Sequence, residues 1–331
     1  MSKLINKSAA YATDVLRGIV QTNPQQLRQI EEKRLILRSE VPIEEKVHVV
    51  TGGGAGHEPA SPALVGPGLL DGVALGEVFT SPPAGHISDL IAECSTESGV
   101  LAIIGNYEGD MMNFDAAIEM VSANEDLDVE TVVVADDVAT KGTERGGRGV
   151  CGMVLVCKVA GAKAEQGSDL KAVAEVAQKA ADRTATMGVG LEPCTRPGET
   201  EPVFDLKTDE VEIGIGNHGE AGVERTQLAS AEEITERLVE PIKAELGLSG
   251  DSTVATMVNG MGATPPGELY IVNDAVHSHL AAGGIDIAHS WVGNYTTSLD
   301  MQGCSVVVMD IDDELSTLLE APANAPGFVT G

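Results

Sequence analysis

Short apolar runs rich in β-branched residues alternate with stretches of helical periodicity along the first part of the chain. The runs VHVV (47–50), GVLAII (99–104) and ETVVVADDVA (130–139) have the character of strands, and FDAAIEMVSA (114–123) has the spacing of a helix. Strands of about four to eight residues separated by helices are typical of sheets with parallel pairs. The pattern therefore predicts an α/β fold.

The length of the chain and a change of amino-acid composition near residue 186 predict two domains. A chain of 331 residues exceeds the size, about 250–300 residues, at which a single hydrophobic core stops growing. A helix predicted over 170–186 closes the first region, and a segment rich in glycine and proline follows before strands and helices alternate again. We expect an N-terminal α/β domain over 1–186 and a C-terminal α/β domain over 187–331, each around a mixed β-sheet with flanking helices.

The charge of the chain excludes one class of partner. Its formal net charge is −30, from 51 acidic and 21 basic residues, and the acids are dispersed along the whole chain. Without a basic stripe that neutralises phosphates, nucleic acid is not an expected partner. An acidic surface of this extent is typical of proteins that work in concentrated salt, where screening weakens self-repulsion. We therefore expect a halophilic source.

Targeting signals and cysteine usage bear on the compartment. No apolar run approaches the roughly 18 residues of a membrane-spanning helix, and MSKLINKSAAYATDVLRG lacks the apolar region of a secretory signal. The five cysteines are scattered without CxxC spacing, and their odd number fits buried free thiols better than a disulfide framework. These features predict a cytoplasmic protein without a membrane partner.

The stretch TGGGAGHEP (51–59) follows a strand and has two interpretations. Its glycines allow positive φ and the close approach of a ligand to the backbone. A dinucleotide loop requires glycine where His57 stands, and a P-loop requires Lys-Ser or Lys-Thr after its last glycine, so neither nucleotide motif fits. The stretch is either a site for a small ligand or a tight turn in which His57 caps a helix.

A second candidate lies in IIGNYEGDMMNFD (103–115). Asp110 follows a strand at the carboxyl edge, where open α/β sheets bind ligands, so its carboxylate is a candidate general base. The alternative is that Asp110 and Asn113 cap the helix that follows.

A third candidate is His218, which lies between glycines in EIGIGNHGEAG (212–222), directly after a strand. An exposed loop histidine can act as a nucleophile, an acid–base group or a metal ligand. A metal would require converging partners, and His277 and His279, two residues apart, would point to different faces of a helix. We therefore expect no metal site.

Eight sequence blocks follow one another over nearly the whole chain: TGGGAGHEP, GEVFTSP, GNYEGDMMNF, VVADDVA, RGGRGV, GIGNHGEAG, VNGMGATPPGELY and YTTSLDMQG. In this order and at roughly this spacing, they resemble the substrate-binding subunit, DhaK, of the dihydroxyacetone kinase family. The resemblance implies that the imidazole of His218 adds to a ketone carbon and holds dihydroxyacetone as a covalent hemiaminal. It also implies that Asp110 accepts the proton of the attacking hydroxyl and that His57 takes part in catalysis. The backbone of Gly54, Ala55 and Gly56, with His57 and Asp110, is expected to bind the substrate.

One position departs from the family pattern. Many members have a lysine that touches the substrate just before the NYxGD block, and Gly105 stands there in this chain. Glycine removes that cation and widens the pocket, which is compatible with another small carbonyl sugar as the substrate, such as a tetrulose or glyceraldehyde. It is also compatible with a non-catalytic paralogue that senses the ketone and acts with a transcription regulator.

The resemblance also implies partners. The chain contains no Walker loop and stops at Gly331, so we expect no tightly bound cofactor on it. ATP or ADP with Mg²⁺ is expected on a separate DhaL-like nucleotide-binding subunit, with phosphoenolpyruvate-derived phosphate supplied by a DhaM-like phosphotransferase-system protein as one option. A homodimer is expected, with the substrate between the His57 and Asp110 loops of the first domain and the His218 loop of the second.

Overall fold

The chain packs as two units that are not consecutive in sequence. The computed structural model describes residues 3–122, 127–144 and 146–331. The first unit comprises the described residues up to Val134, together with Met153–Ala181 and Thr317–Gly331. The second unit comprises Ala135–Gly152, of which Arg145 in the RGGRGV block lies outside the described residues, and Asp182–Ser316.

A mixed six-stranded sheet forms the centre of the first unit. Its elements are α1 (Tyr11–Thr22), β1 (Leu27–Ile30), β2 (Leu35–Arg38), β3 (His48–Ala55), β4 (Gly72–Val78), α2 (Ala84–Cys94), β5 (Val100–Gly105), α3 (Glu108–Ser122), β6 (Val129–Val134), α4 (Met153–Glu165) and α5 (Leu170–Asp182). The strand order is β1-β2-β4-β3-β5-β6. The four strands from β4 to β6 are parallel, whereas β1 and β2 run antiparallel to their neighbours.

Helices cover this sheet because their apolar faces match its apolar strands. The core includes Val50, Ala102 and Ile104 from the sheet, and α2 and α3 add Leu90 and Phe114. The helix α4 packs against β3 and β5 and is buried along almost its whole length, which its run of small and aliphatic residues allows.

A second mixed six-stranded sheet forms the centre of the second unit. Its elements are β7 (Thr184–Glu192), β8 (Glu210–Ile213), β9 (Glu224–Gln227), α6 (Ala231–Leu246), β10 (Thr253–Gly260), α7 (Pro266–Ala282), β11 (Asp286–Gly293), β12 (Gln302–Asp310) and the start of α8 (Asp313–Glu320). The strand order is β11-β10-β12-β7-β8-β9, in which only β10 and β11 are parallel. In the first unit, β13 (Ala323–Ala325) and β14 (Phe328–Thr330) form a hairpin near the end of the chain.

Local signals explain the ends of the best-defined helix of the second unit. The side chain of Ser230 accepts a hydrogen bond from the backbone of Glu233, whose carboxylate accepts from the backbone of Ser230, so a capping box begins α6. Gly247, with φ of 62°, ends it in the left-handed conformation. Between these ends, Ile234 and Leu238 pack on the sheet within the core of this unit.

The fold class predicted from the sequence is confirmed, since each unit is built around a mixed sheet with flanking helices. The grouping along the chain differs from the two consecutive domains predicted, 1–186 and 187–331. Residues 135–152 pack in the second unit, and 153–181 and 317–331 pack in the first. The pattern of apolar residues along a segment does not show which of two sheets the segment packs against. The sequence therefore could not show that these segments pack in the other unit.

Three element boundaries also differ from those expected. The first three glycines of TGGGAGHEP, Gly52 to Gly54, belong to the strand β3, which continues to Ala55, so the turn starts only at Gly56. The helix expected after Asn113 already starts at Glu108. The helix expected to continue to residue 186 ends at Asp182, and Thr184 opens the strand β7.

The five cysteines are free and buried, as predicted. In the part of the chain that the structure describes, no helix combines the length and the apolar character needed to cross a membrane.

Candidate active site

Two adjacent parallel strands place the first candidate residues at one edge of the first sheet. The strands β3 and β5 are paired in parallel, so their carboxyl ends lie at the same edge. His57 follows the end of β3 at Ala55, and Asp110 follows the end of β5 at Gly105. The topology therefore brings His57 and Asp110 to one edge of the first unit, which is where open parallel sheets bind ligands.

The glycines of β3 leave room for a neighbouring loop, 79–82, and for open space on the other face. A β-carbon on Gly54 would lie 2.6 Å from the backbone nitrogen of Thr80, which is closer than such atoms approach. A β-carbon on Gly53 would meet nothing within 4 Å. Gly54 is thus required for protein packing, and Gly53 borders open space.

Phe79 is a site residue that sequence reasoning missed. Its ring stacks on the imidazole of His57, with ring centroids 4.9 Å apart and an interplanar angle of 21°. Its backbone has φ of 57°, which is uncommon for a residue other than glycine, and its N–H donates to the carbonyl of Ala55 at 3.0 Å. The stacking restricts the orientation of the His57 ring. The GEVFTSP block contains Phe79, but nothing in its composition indicates the contact.

Glu58 anchors the turn that carries His57. Its carboxylate accepts hydrogen bonds from the N–H of Gly56 at 3.0 Å and from the hydroxyl of Tyr11 at 3.4 Å. Burial raises the pKa of this carboxyl, against the opposing effect of those hydrogen bonds. The N–H of Gly56 and the carbonyl of Ala55, both expected to face the substrate, therefore also have partners within the protein.

Asp110 lies in the first turn of α3 and is half-buried. A carboxylate is favoured there because the amino end of a helix carries a partial positive charge. Asn113, the other suggested cap, instead donates from its side chain to the hydroxyl of Ser81 at 3.1 Å and to the carbonyl of Pro82 at 3.0 Å. Asn113 thus joins α3 to the loop 79–82.

His218 lies on a loop of the second unit, after β8. The loop turns back on itself, since the N–H of Gly216 donates to the carbonyl of Glu220 at 3.0 Å. The hydroxyl of Ser298 donates to the carbonyl of Asn217 at 2.5 Å. Gly219 has φ of 84°, and a β-carbon there would collide with the side chain of Val203, so a glycine is required next to His218. The His218 side chain remains 23% exposed.

Glu220 contacts His218 twice. Its Oε1 lies 2.8 Å from the ring Nδ1, and its Oε2 accepts from the backbone N–H of His218 at 2.9 Å. Burial opposes ionisation of Glu220, but the hydrogen bond and the charge of His218 outweigh it and lower the pKa of this carboxyl to about 2. An ionised carboxylate only accepts hydrogen bonds, so Nδ1 carries the proton in this pair and the lone pair of a neutral ring lies on Nε2. The spacing of two residues in the motif was the available signal for this contact.

Among the described residues, no group of three or more histidine, cysteine, aspartate or glutamate side chains converges in a way that could hold a metal ion. His277 contacts the hydroxyl of Ser290 and His279 contacts the carbonyl of Glu232.

With this geometry established, comparison with known proteins assigns the family. Residues 17–327 match the model of the Dak1 domain. The chain belongs to the Dak1 domain family. This Dak1 match extends over segments of both units.

Two relatives of this Dak1 chain are named as a kinase subunit and a kinase, and one similar solved structure is named as a kinase operon co-activator. It is 39% identical over 316 residues to the PTS-dependent dihydroxyacetone kinase 1, dihydroxyacetone-binding subunit DhaK of Listeria innocua, with 95% of each chain covered. It is 37% identical to the L-erythrulose 1-kinase of Mycolicibacterium smegmatis, covering all of this chain but only 58% of that relative. Among solved structures, the dihydroxyacetone kinase operon co-activator Dha-DhaQ superposes with a TM-score of 0.92 at 31% identity, covering 97% of this chain and 99% of that one.

Proposed function

We propose that this chain is the dihydroxyacetone-binding subunit of a multi-subunit dihydroxyacetone kinase. It holds the ketone as a hemiaminal on His218, and phosphoryl transfer from a nucleotide on a separate DhaL-like subunit gives dihydroxyacetone phosphate. The observation that carries this proposal is the contact of 2.8 Å between Nδ1 of His218 and the carboxylate of Glu220. This contact leaves Nε2 with a lone pair on a partly exposed ring.

The covalent step uses that lone pair. Nε2 attacks the carbonyl carbon, a carbon–nitrogen bond forms, and the π electrons of the carbonyl move to its oxygen. The ring gains positive charge as the bond forms, and Glu220 stabilises that charge through Nδ1–H, as a carboxylate does for a catalytic histidine. The alkoxide takes up a proton and Nδ1 loses one, so the neutral hemiaminal has the atoms of imidazole plus ketone.

Such a bond selects for carbonyl compounds. Glycerol differs from dihydroxyacetone by carrying a hydroxyl where the ketone stands, and a hydroxyl-bearing carbon offers no electrophile to Nε2. A pocket that relied on hydrogen bonds alone would discriminate less sharply between the two. Covalent capture therefore accounts for selection of a ketone over a polyol.

Phosphoryl transfer then requires a base at the terminal hydroxyl. We assign this role to Asp110, which accepts the proton as the hydroxyl oxygen attacks the phosphorus. His57, whose orientation is restricted by Phe79, binds the substrate beside it. Positioning and charge stabilisation supply most of the catalysis in such transfers, which fits a site built from fixed loops.

The nucleotide belongs to a partner in this proposal. The L. innocua relative, which matches over 95% of both chains, is itself named a subunit. ATP or ADP with Mg²⁺ is carried by the DhaL-like partner, and a DhaM-like protein is the candidate donor if the phosphate comes from a phosphotransferase system. The chain is proposed to act as a homodimer.

The test is a kinase assay with the full-length chain and a purified DhaL-like subunit. We expect phosphorylation of dihydroxyacetone by the parent chain and none by His218→Ala. Failure of the parent chain to support phosphorylation of any triose or tetrulose would refute the enzymatic proposal.

A tetrulose is the second candidate substrate. The 37% identical M. smegmatis relative is named L-erythrulose 1-kinase. Gly105 stands where the sequence resemblance leads us to expect a lysine. A tetrulose has the same ketone for Nε2 and one more hydroxylated carbon. A comparison of the kcat/KM values for erythrulose, glyceraldehyde and dihydroxyacetone decides between these substrates.

A non-catalytic role is the alternative from another class. The co-activator Dha-DhaQ has the same fold over nearly the whole of both chains. A chain of that kind would bind the ketone and contact a transcription regulator without supporting phosphorylation. The kinase assay separates this alternative from the enzyme, because a sensor binds dihydroxyacetone and yields no phosphorylated product.

A further inference from the structure

Two sequence blocks, VVADDVA and RGGRGV, take no part in the mechanism above, yet both pack against the loop that carries His218. Asp137 comes from the first block and Arg148 from the second, and both belong to the second unit. Their side chains are buried, with 4% and 12% of their surfaces exposed. A buried pair of opposite charges at this place requires an explanation.

Arg148 extends in three directions. Its Nε pairs with Oδ2 of Asp137 at 2.6 Å, and its Nη2 donates to the carbonyl of Gly214 at 2.9 Å. Its Nη1 lies 2.4 Å from the point where a β-carbon on Gly216 would stand. The planar guanidinium thus joins the 137–148 region to both glycines that precede His218, a geometry that a lysine amine cannot reproduce.

Glu220 reaches the same space from the other direction. Its Oε2 lies 2.2 Å from that β-carbon position on Gly216, so the carboxylate that contacts His218 and the guanidinium of Arg148 both pack against one glycine. Any side chain at residue 216 would displace one of them. Gly216 is therefore required because these two charged side chains pack on either side of it.

Asp137 holds Arg148 in place. Its carboxylate also accepts from the N–H of Ala139 and the hydroxyl of Thr140, both at 3.0 Å. The backbone of Arg148 is fixed as well, since its N–H donates to the hydroxyl of Thr140 and its carbonyl accepts from Asp137. A buried charge with this number of partners is rigid, and removing one partner leaves the other uncompensated.

We infer that Arg148 and Asp137 are positioning residues for His218, acting through the carbonyl of Gly214 and through the space over Gly216 that Arg148 shares with Glu220. The inference rests on the proposed covalent role of His218 and adds the device that holds its ring in the reactive orientation. Neither residue touches the substrate. Their effect is on the fraction of time in which Nδ1 donates to Glu220 and Nε2 presents its lone pair.

The experiment uses the full-length chain with ¹⁵N-labelled histidine and dihydroxyacetone labelled with ¹³C at the carbonyl. The ¹⁵N shifts of His218 report which ring nitrogen carries the proton, and the ¹³C shift reports conversion of the ketone to a hemiaminal carbon. The variants are R148M, which removes the guanidinium, and G216A, which leaves the Asp137–Arg148 pair intact but inserts a methyl group between Arg148 and Glu220. The control is R183M, which removes a half-buried ion pair with Asp310 before the start of β7.

We expect the wild type and R183M to show the Nδ1–H form and the adduct. R148M and G216A should show a mixture of ring forms and an apparent Kd for the adduct raised on the order of 10- to 100-fold, as small misplacements of reacting groups produce. If G216A showed the same His218 ring form and the same apparent Kd for the adduct as the wild type, the inference would be overturned, even if R148M failed to fold. A wild type that binds the ketone without forming the adduct would instead refute the proposed function, and the inference with it.

Discussion

Replacing Lys158 by methionine is expected to change how the stability of the protein depends on pH. Lys158 lies in α4 and is fully buried, and its Nζ donates to the carbonyl of Leu318 at 2.6 Å. That carbonyl belongs to the last turn of α8, where a cation is favoured by the helix dipole. Burial nevertheless lowers the pKa of Lys158 from 10.5 to about 8.

The magnitude follows from the two pKa values. Below about pH 8 the lysine is protonated in the folded and the unfolded chain, so the full cost of burying the charge is present. Between about 8 and 10.5 the unfolded chain binds the proton more tightly than the folded chain, so the free energy of unfolding rises with pH. The shift corresponds to about 3 kcal/mol. In K158M this rise is absent, because methionine does not titrate.

The assay is chemical denaturation of wild type and K158M across this pH range, with the difference in unfolding free energy plotted against pH. Other titrating groups are shared by both proteins and cancel in the difference. K171M is the matched control, since it also replaces a lysine by methionine, but at a side chain that is 84% exposed on α5. A flat difference for K158M, or one in which the wild type loses stability relative to the variant as the pH rises, would show that burial does not perturb Lys158 in this way.

Three further predictions concern the candidate site and the charge of the chain. Asp110→Asn should lower kcat by about 10²- to 10⁴-fold while leaving the adduct on His218 intact in NMR, and loss of both together would indicate a structural role. Gly54→Ala should destabilise the protein by about 1–3 kcal/mol in urea, because its β-carbon would lie 2.6 Å from the nitrogen of Thr80, whereas Gly53→Ala should be nearly neutral, and equal effects would contradict the packing argument. The melting temperature should rise in molar KCl, because salt screens the repulsion within a chain of charge −30, and an unchanged value would count against halophilic adaptation.

Local patterns predicted much of the secondary structure. The strand predicted over 99–104 is found as β5, Val100–Gly105, because a short run of β-branched and aliphatic residues is a strong local signal. The helix α3 starts earlier than predicted, since its first turn, with Glu108, Gly109 and Asp110, has no apolar periodicity. Gly52 and Gly54 of β3 pack against the loop 79–82, and the strand pairs with β4 and β5, which a local pattern cannot show.

The site required information of longer range. His57, Asp110 and His218 were selected from motifs, and their roles stay predictions. Several features depend on contacts between segments that are distant in sequence. They are the stacking of Phe79 on His57, the hydrogen bond from Tyr11 to Glu58, and the packing of residues 135–152 in the second unit. Such contacts can be identified only from the three-dimensional structure, because the residues involved are far apart in the sequence.

The most direct test of the account is the ¹³C spectrum of carbonyl-labelled dihydroxyacetone with the wild-type chain and with His218→Ala. We predict that the wild type converts the ketone resonance to that of a saturated carbon bearing one nitrogen and one oxygen, and that His218→Ala leaves the ketone resonance unchanged. An adduct in His218→Ala, or an intact ketone bound as tightly by the variant as by the wild type, would contradict the covalent role of this histidine.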